Sequence, residues 1–409
     1  MNSLLRFGFA AVLALLFALS ATPARAAIDL QCPLDEDGLD TDGDGDPDND
    51  NVCYYLGGGD GFINMADGAL MYMFGFSDLS GVAPDMMMDA GMLAASSPAP
   101  TIEVREGQHL YINLVNIGMM MRPDLFDPHT VHFHGFPQAA SVFDGLPEAS
   151  LAVNMGSSIT YYYNLEEPGT YFYHCHVEAT EHIQMGMIGN LYVKPIQDMG
   201  PAKVFGGRSY TQFAYNDGDG STGYDIEQPI QLTGFDPVFH EAEINIQPIP
   251  LAMLDDKYPL MNGRGYPDTI NTSPLPNSFD GHLSQTMSSK IVATKGQRIL
   301  LRVSNVSVSE YYTLATVNLP MQVIGRGAKL LRSSGGANLY YTTNSITIGG
   351  GEAIDVILDT ANAVPGTYFL YSTNLNFLSN DQEDYGGLMT EIVINAPAAA
   401  KLVAKGGLK

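Results

Sequence analysis

Short apolar stretches separated by turn residues make up most of the chain after residue 60. Apolar and polar positions alternate within several of these stretches, as in Ile102–Arg105, and a period of two is that of a β-strand with one buried face. No long stretch shows the period of an amphipathic helix. The 43 Gly and 24 Pro residues supply many turns. The pattern therefore predicts an all-β fold.

An internal repeat indicates that this fold occurs twice. Ile102–Asn116 and Ile291–Asn305 both consist of a strand, a Gly-Gln turn and a second strand that ends in Asn. The sequence Pro-Gly-Thr-Tyr-Phe begins at Pro168 and again at Pro365. We therefore expect two similar β-sandwich domains, over residues 61–197 and 198–396, and a flexible tail over residues 397–409.

The first 26 residues have the organisation of a secretory signal peptide. Arg6 provides the positive start, Phe7–Leu19 is apolar, and Ala24–Ala26 is a small-x-small cleavage site. No later apolar run reaches the ~20 residues that a membrane helix needs. We expect a periplasmic or secreted protein with no membrane span.

The charge balance excludes two classes of partner. The chain carries 45 acidic and 19 basic residues, a formal net charge of −26. Binding to nucleic acid requires Lys and Arg to neutralise phosphates, and anionic membrane surfaces attract basic segments. The acidic excess disfavours both.

Two of the three cysteines enclose an acidic segment that we assign to residues 27–60. An exported protein is expected to pair its cysteines, and a disulfide between Cys32 and Cys53 would contribute about 3 kcal/mol. Acidic residues recur at every second position between them, and such oxygens suit calcium. The alternative is a solvated acidic linker. The expected calcium ligands are Asp40, Asp42, Asp44 and Asp48.

The spacing of these aspartates resembles one thrombospondin type 3 repeat, which also ends in a Cys. It differs in lacking the tandem copies that usually share ions. The resemblance implies a structural calcium ion in this segment.

Seven of the nine histidines lie between residues 109 and 182. Alternation along a strand places His132 and His134 on one face, and it places His174 and His176 on one face with Cys175 on the opposite side. In the second copy of the repeat the corresponding positions carry Tyr-Ser-Thr. The pattern predicts two metal sites, back to back, in the first domain only.

The thiol side of this arrangement has the ligand set of a blue copper centre. Cys175 is followed by His182 and Met187, and His129 precedes the other histidines. Two His, one Cys and a weak axial Met hold type 1 copper in electron-transfer sites. A copper thiolate also explains why a lone Cys persists in an exported protein.

These motifs resemble those of multicopper oxidases, and in particular two-domain laccases and copper nitrite reductases. The resemblance rests on Ser97–Gly107, on His-x-x-His-x-His-Gly from His129, on His-Cys-His from His174, and on Tyr258–Gly265. It implies two tandem cupredoxin-like Greek-key sandwiches, the second free of copper. A reductant would deliver single electrons at an exposed edge of His182, with oxygen as the acceptor.

The resemblance also implies a role for each ligand. Type 1 copper would be held by His129, Cys175, His182 and Met187, and type 2 and type 3 copper by His132, His134, His174 and His176. Cys175 and its two flanking histidines would carry electrons between the sites and thus serve in catalysis.

Two features depart from the family pattern. Cys175 and His182 are seven residues apart, where five is commoner, and the longer loop carries Glu178 and Glu181. A trinuclear cluster takes eight histidines, whereas this chain supplies four, and its second domain has no His-x-His.

Three functions follow from these departures. Two chains in a homo-oligomer could together complete an oxygen-reducing cluster. Alternatively, the protein transfers electrons or handles copper without a full cluster. A nitrite reductase is the third possibility, although His132 and His176 exceed the ligands such enzymes use. The electron donor would be a small reductant, Cu(I) or Fe(II), or a redox protein.

The 20 methionines include two consecutive triplets, Met86–Met88 and Met119–Met121. Neighbours on a strand face opposite ways, so a triplet does not follow a core period. Thioether sulfur binds Cu(I), which makes these residues a candidate entry site for cuprous ion. Adaptable core packing is the alternative.

Overall fold

The computed structural model describes residues 31–47, 49–245 and 251–397. The predicted signal peptide, Asp48 and nearly all of the tail predicted from residue 397 lie outside these ranges. Three short α-helices occur in them: α1 (Met87–Ala90), α2 (Ala179–Met185) and α3 (Pro237–Asn245). No helix in the described ranges has the length and apolar character needed to cross a bilayer.

Two four-stranded sheets form the first sandwich, in the orders β2-β1-β4-β6 and β3-β8-β7-β5. Their strands are β1 (Asn51–Asn64), β2 (Leu70–Asp78), β3 (Ile102–Arg105), β4 (His109–Gly118), β5 (His132–Phe133), β6 (Ser158–Asn164), β7 (Gly169–His174) and β8 (Ile188–Lys194). Pairing of β1 with β4 begins at Asn51. The predicted start of the first domain at residue 61 therefore lies inside β1, and residues 51–60 belong to this sheet.

The second sandwich follows a hairpin of β9 (Lys203–Phe205) and β10 (Arg208–Tyr210). It pairs a five-stranded sheet, β15-β24-β23-β17-β21, with a seven-stranded sheet, β12-β11-β16-β22-β18-β19, in which β20 also pairs with β18. Its strands, with the small hairpin β13–β14, are β11 (Ile226–Phe235), β12 (Tyr258–Met261), β13 (Leu275–Pro276), β14 (Leu283–Gln285), β15 (Ile291–Thr294), β16 (Arg298–Asn305), β17 (Tyr312–Thr316), β18 (Met321–Arg326), β19 (Lys329–Leu330), β20 (Tyr341–Thr343), β21 (Ser345–Ile348), β22 (Glu352–Asp359), β23 (Gly366–Ser372) and β24 (Met389–Asn395).

The sequence repeat corresponds to equivalent strands of the two sandwiches. Its first copy forms β3 and β4, and its second forms β15 and β16. Gly107 and Gly296 turn the chain between them at φ +96° and +97°, a region that favours glycine. The terminal residues act alike, because the Nδ2 groups of Asn116 and Asn305 each donate to two main-chain carbonyls of neighbouring loops. The all-β prediction and the tandem arrangement are confirmed.

The acidic segment is attached to the first sandwich at two points. Cys32 and Cys53 form the predicted disulfide, with Cα atoms 6.1 Å apart. Thr41 Oγ1 donates to the carbonyl of Gly107, and Gln108 Nε2 donates to Asp42 Oδ2 at 3.0 Å. The segment therefore lies against the turn between β3 and β4.

A buried charged network joins the two sandwiches. Arg302 on β16 is fully buried and pairs through Nε with Glu227 on β11. Its Nη1 donates to Thr170 Oγ1 on β7 at 2.8 Å and lies 3.8 Å from Asp355 Oδ1 on β22. Burial opposes ionisation of Glu227, but Arg302 and Lys194 lower its pKa to about 2. The strand that ends at His174 is thus held against the second sandwich.

Candidate metal centre

Cys175 lies at the centre of a fully buried group of ligands. The residue follows the end of β7, and its Sγ is 3.1 Å from Nδ1 of His182 and 3.9 Å from Nδ1 of His129. All three residues have zero exposed surface. Each offers a ligand atom within 4.8 Å of the others. This is the predicted thiolate set.

Main-chain hydrogen bonds hold this group in place. His129 forms an isolated bridge with Val153, and His182 lies on α2. The N–H of Met187 donates to the carbonyl of His182 at 2.9 Å, and the N–H of Cys175 donates to the carbonyl of Met187 at 3.2 Å. The side chain of Met187 is buried in the same core. All four predicted type 1 ligands therefore lie in one hydrogen-bonded unit.

The electrostatics of the thiol favour its ionised form. Burial would raise the pKa of Cys175, but the rings of His182 and His129 lower it well below the ordinary value. The N–H of Thr130 also donates to Sγ at 3.4 Å. A buried thiolate facing two Nδ1 atoms suits a soft metal ion such as copper.

The four other histidines gather on the opposite side of β7. His132 pairs with His174 across β5 and β7. Ring centroids are 5.0 Å apart for His134 and His174, and also for His132 and His176. His132, His134 and His174 each offer a nitrogen within 4.8 Å of the others. The alternation along the strands thus produces the predicted arrangement.

Carbonyl groups set the tautomers of three of these histidines. The Nδ1 atoms of His132, His134 and His174 contact the carbonyls of Asp144, Gly351 and Cys175, respectively. A carbonyl only accepts, so each Nδ1 donates and each Nε2 carries a lone pair. The Nε2 atoms of His134 and His174 lie 2.9 Å apart. Burial lowers the pKa of all three rings. Neutral imidazoles with unprotonated Nε2 atoms fit copper or another divalent metal.

A cavity of about 350 Å³ lies beside the histidines and is lined by residues of both sandwiches. His134 and His174 form one wall, and residues 306–311 with Gly350 and Gly351 form the opposite one. That second wall carries Glu310 and Tyr311 but no histidine among the described residues that line it. Within one chain, the second sandwich therefore does not complete an eight-histidine cluster.

The outer edge of His182 differs from the sequence-based expectation. We expected an exposed edge, yet the ring is fully buried, so that expectation is wrong. Asp127 Oδ2 lies 3.8 Å from its Nε2, and Glu181 belongs to the same cluster of candidate ligand atoms. Burial and the nearby Glu243 raise the pKa of Glu181 to about 7. A carboxylate cluster, rather than solvent, borders this ligand.

Comparison with known proteins identifies the family. Residues 82–198 match a family model described as multicopper oxidase, and residues 252–394 match a second model of the same description. Together these ranges cover more than half of the chain. The chain belongs to the multicopper oxidase family.

Two relatives illustrate the range of this family. A laccase of Neurospora crassa is 24% identical over 312 residues, which cover 75% of this chain and 41% of the laccase. An iron transport multicopper oxidase, fetC, of Epichloe festucae is 40% identical over 82 residues, 19% of this chain and 12% of that protein. The chain thus spans less than half the length of these curated relatives.

Solved structures share the fold. The blue copper oxidase of Nitrosomonas europaea superposes with a TM-score of 0.61 at 22% identity, covering 84% of this chain and 85% of that one. The copper nitrite reductase of the same organism has a TM-score of 0.56 at 17% identity, with 84% and 94% covered. At these identities the likeness concerns the cupredoxin fold alone.

The predicted calcium ligands of this multicopper oxidase lie together only in part. Asp40, Asp42 and Asp44 each offer a carboxylate oxygen within 4.8 Å of the others, whereas Asp48 is outside the described residues. Asp42 is fully buried, and burial raises its pKa. Asp50, which the prediction omitted, accepts from the N–H groups of Thr41 and Asp42.

The methionine triplets are divided between core and surface. Met87 packs with Leu79, Val115 and Ile117 in a small apolar cluster, with Met88 and Met92 beside it. Met119 is buried in the main core, while Met86 and Met120 are about half exposed, at 44% and 46%. The geometry favours packing for Met87, Met88, Met92 and Met119.

One residue near the thiolate had no signal in the sequence. A Cβ on Gly58 would lie 2.8 Å from Cδ2 of His129. Strand β1 can pass under this ligand only because residue 58 has no side chain. Gly57, Gly58 and Gly59 are consecutive, so the sequence does not indicate which of them must lack a side chain beside His129.

Proposed function

We propose that this protein is an exported copper-dependent oxidase. Copper bound by His129, Cys175, His182 and Met187 would accept single electrons, and copper bound by the opposite histidines would reduce oxygen. The observation that carries the proposal is the position of Cys175, whose thiol belongs to one site while its neighbours His174 and His176 belong to the other. The covalent chain thus connects the two sites directly.

The protein contributes positioning and redox tuning, whereas copper contributes the redox chemistry. Thr130 supports both sites, because its N–H donates to Cys175 Sγ and its Oγ1 accepts from the N–H of His176. The carbonyls behind His132, His134 and His174 keep the Nε2 atoms available. Burial excludes water from the thiolate.

We propose that a second chain completes the oxygen-reducing site. Two of the four clustered histidines, His134 and His174, line a cavity whose other wall lacks histidine among the described residues. A homo-oligomer in which two such groups meet would provide the eight that the family uses. Copper analysis together with sedimentation tests this proposal. Two type 1 coppers and one shared cluster of three make five coppers per chain pair, and this count in a dimer with oxygen uptake supports the proposal. A monomer with rapid oxygen uptake contradicts it.

The lack of histidine on that wall also favours a second candidate, an electron-transfer or copper-handling protein without a full cluster. Such a protein would bind type 1 copper and would not reduce oxygen when supplied with hydroquinone, Cu(I) or Fe(II). Oxygen consumption by the copper-loaded protein separates the two functions. Nitrite reduction is a third and weaker candidate, tested by replacing oxygen with nitrite.

We propose cationic Fe(II) or Cu(I) as donors of the oxidase. Asp127 and Glu181 provide carboxylates beside His182 Nε2, and Nδ1 of the same ring lies 3.1 Å from Cys175 Sγ. The partial similarity to a protein named as an iron transport multicopper oxidase agrees with this class. The carboxylates would attract small cations and repel anionic reductants.

We further propose that the acidic segment binds calcium. The Asp40, Asp42 and Asp44 carboxylates converge, and the buried Asp42 has only Arg105, at 3.3 Å, as a cationic partner among the described residues. A divalent cation would neutralise the cluster. Isothermal titration of the chelator-treated protein with calcium tests the proposal, and absence of binding at millimolar calcium would contradict it.

A further inference from the structure

Five rings form a continuous column from His182 to the surface. His182, Phe74, Tyr72 and Phe62 follow one another at centroid distances of 5.7, 5.6 and 5.7 Å, and Phe279 stacks on Phe62 at 4.0 Å. The first four rings are buried, whereas Phe279 is 49% exposed. The column therefore connects a proposed copper ligand with solvent.

Strand geometry explains the column. Tyr72 and Phe74 lie two residues apart on β2 and so share a face. Phe62 is directly opposite Tyr72 in the β1–β2 pairing. The loop that carries Phe279 is attached to the end of β1, because the N–H of Ser278 donates to Asn64 Oδ1 at 2.6 Å.

Tyr72 is the readily oxidised member of the column, and its phenol faces a base. Its hydroxyl donates to Asp60 Oδ2 at 2.9 Å, and Asp60 is buried with no hydrogen bond to Oδ1. A phenol loses an electron far more easily when a base takes its proton at the same time. A carboxylate is such a base.

Among the described residues, the other buried tyrosines of this core have no carboxylate as hydrogen-bond acceptor. Their hydroxyls donate to main-chain carbonyls, which are very weak bases. The pairs are Tyr161 with Leu151, Tyr163 with Phe143, Tyr171 with Glu167 and Tyr173 with Pro100. Tyr72 is therefore the tyrosine of this core that has a carboxylate partner, and it is also the tyrosine that belongs to the column leading to His182.

We propose that this column conducts single electrons from the exposed ring of Phe279 to the copper centre at His182. Tyr72 is oxidised and reduced again as an intermediate in this transfer. Copper held at His182 would supply the electron acceptor: Tyr72 would lose one electron to it while the phenol O–H bond breaks and the proton passes to Asp60. A neutral hydroquinone at the surface would then return one electron to the tyrosyl radical and become a semiquinone as one of its protons passes to water. The proton held by Asp60 would return to the phenol oxygen of Tyr72. Phe74 and Phe62 bridge the gaps without being oxidised.

This inference rests on the proposed type 1 copper, and it gives the oxidase two entries for electrons. Cations enter at Asp127 and Glu181, next to His182. Neutral aromatic reductants, which the carboxylates do not attract, use the column. The two routes differ in their residues, so substitutions can separate them.

The first test is spectroscopic. The copper-loaded blue protein is treated with hexachloroiridate(IV), a one-electron oxidant, and frozen for electron paramagnetic resonance. We expect a tyrosyl radical in the wild type and in the control Tyr163→Phe, but not in Tyr72→Phe. Asp60→Asn, which keeps an acceptor for the hydrogen bond but is a weaker base, should lower the radical yield. An undiminished radical in Tyr72→Phe overturns the proposal.

The second test compares two donors by anaerobic stopped-flow, following the loss of blue colour. Tyr72→Phe should slow reduction by hydroquinone about tenfold and change reduction by Fe(II) less than about twofold. Equal slowing with both donors, or none with hydroquinone, overturns the column. If the wild-type protein binds copper without becoming blue, the proposed function fails together with the column, whereas a blue protein without the Tyr72 effects overturns the column alone.

Discussion

At the scale of single residues, the chemistry depends on how a thiolate is kept ionised away from water. Burial of Cys175 favours the neutral thiol, and the two imidazoles beside it reverse that preference. A metal cation between the same three atoms would do so more strongly. Cys175 is the one cysteine outside the disulfide, and its thiol lies beside His129, His182 and the N–H of Thr130.

Replacement of Gly58 tests how closely the strand under His129 must approach. In Gly58→Ala the new Cβ would lie 2.8 Å from the ring, so the ring must shift away from Cys175. We expect weaker copper binding, by about tenfold or more, and a changed blue absorption. Gly200→Ala, where a Cβ meets only one atom at 3.3 Å, is the control. An unchanged spectrum in Gly58→Ala would show that β1 adjusts freely.

The pH dependence of Fe(II) oxidation tests the carboxylates beside His182. The pKa of Glu181 is raised to about 7, so this group is largely protonated below pH 7 and ionised above it. Because a cation needs the carboxylate, KM for Fe(II) should rise about tenfold per pH unit below pH 7 and level off above it. Glu181→Gln should remove this dependence and Glu148→Gln, on another loop, should retain it. An identical pH profile in Glu181→Gln contradicts the role.

At the scale of elements, strand periodicity made half of the site predictable. The spacing of His132 and His134, and of His174 and His176, determines which face each occupies, and the two short strands then bring the faces together. The Gly-Gln turns and the terminal Asn residues likewise identified the equivalent strands of the two sandwiches, β3 and β4 in the first and β15 and β16 in the second. These features are local, and a local pattern is what a sequence displays.

Other features depend on contacts between distant segments and left no local pattern. His182 packs against Phe74 on β2, and Asp127, from a loop before β5, lies 3.8 Å from its Nε2. Gly351, which orients His134, belongs to the other sandwich. The predicted start of the first domain, residue 61, fell inside β1, because the glycine-rich sequence of this strand has little strand propensity and the strand is held by pairing on both sides.

Calcium removal tests the acidic segment as a structural element. The three aspartates and the disulfide lie at the start of β1, so a bound ion would stabilise that edge of the first sandwich. An excess of chelator should lower the free energy of unfolding by about 2–3 kcal/mol, measured by thermal denaturation. Asp42→Asn should show the same loss and no response to chelator. Equal melting temperatures with and without chelator would contradict the site.

At the scale of the whole molecule, the two sandwiches are joined by charges rather than by apolar packing alone. Arg302 contacts Glu227 and Asp355 in its own sandwich and Thr170 in the other, and the aromatic ring of Tyr192 lies 5.3 Å from its guanidinium. Thr170 is on the strand that ends at His174. The network therefore holds β7, the strand that ends at His174, against the second sandwich.

Removal of the central cation tests this joint. Arg302→Met would leave Glu227 paired with Lys194 alone and would remove the cation beside the buried Asp355. We expect a loss of about 3–5 kcal/mol in the free energy of unfolding. Arg326→Met breaks an exposed pair with Glu352 and should cost less than about 1 kcal/mol. Urea denaturation measures both. A small loss in Arg302→Met would show that apolar contacts alone join the sandwiches.

The central claim is that Cys175, His129, His182 and Met187 hold type 1 copper, and the visible and electron paramagnetic resonance spectra of the copper-loaded protein test it most directly. We predict an intense blue thiolate absorption with the narrow copper hyperfine splitting of a type 1 centre. Cys175→Ser should lose both while the histidine site still binds copper. Copper-loaded wild-type protein without the blue absorption, or a Cys175→Ser variant that retains it, would contradict the assignment.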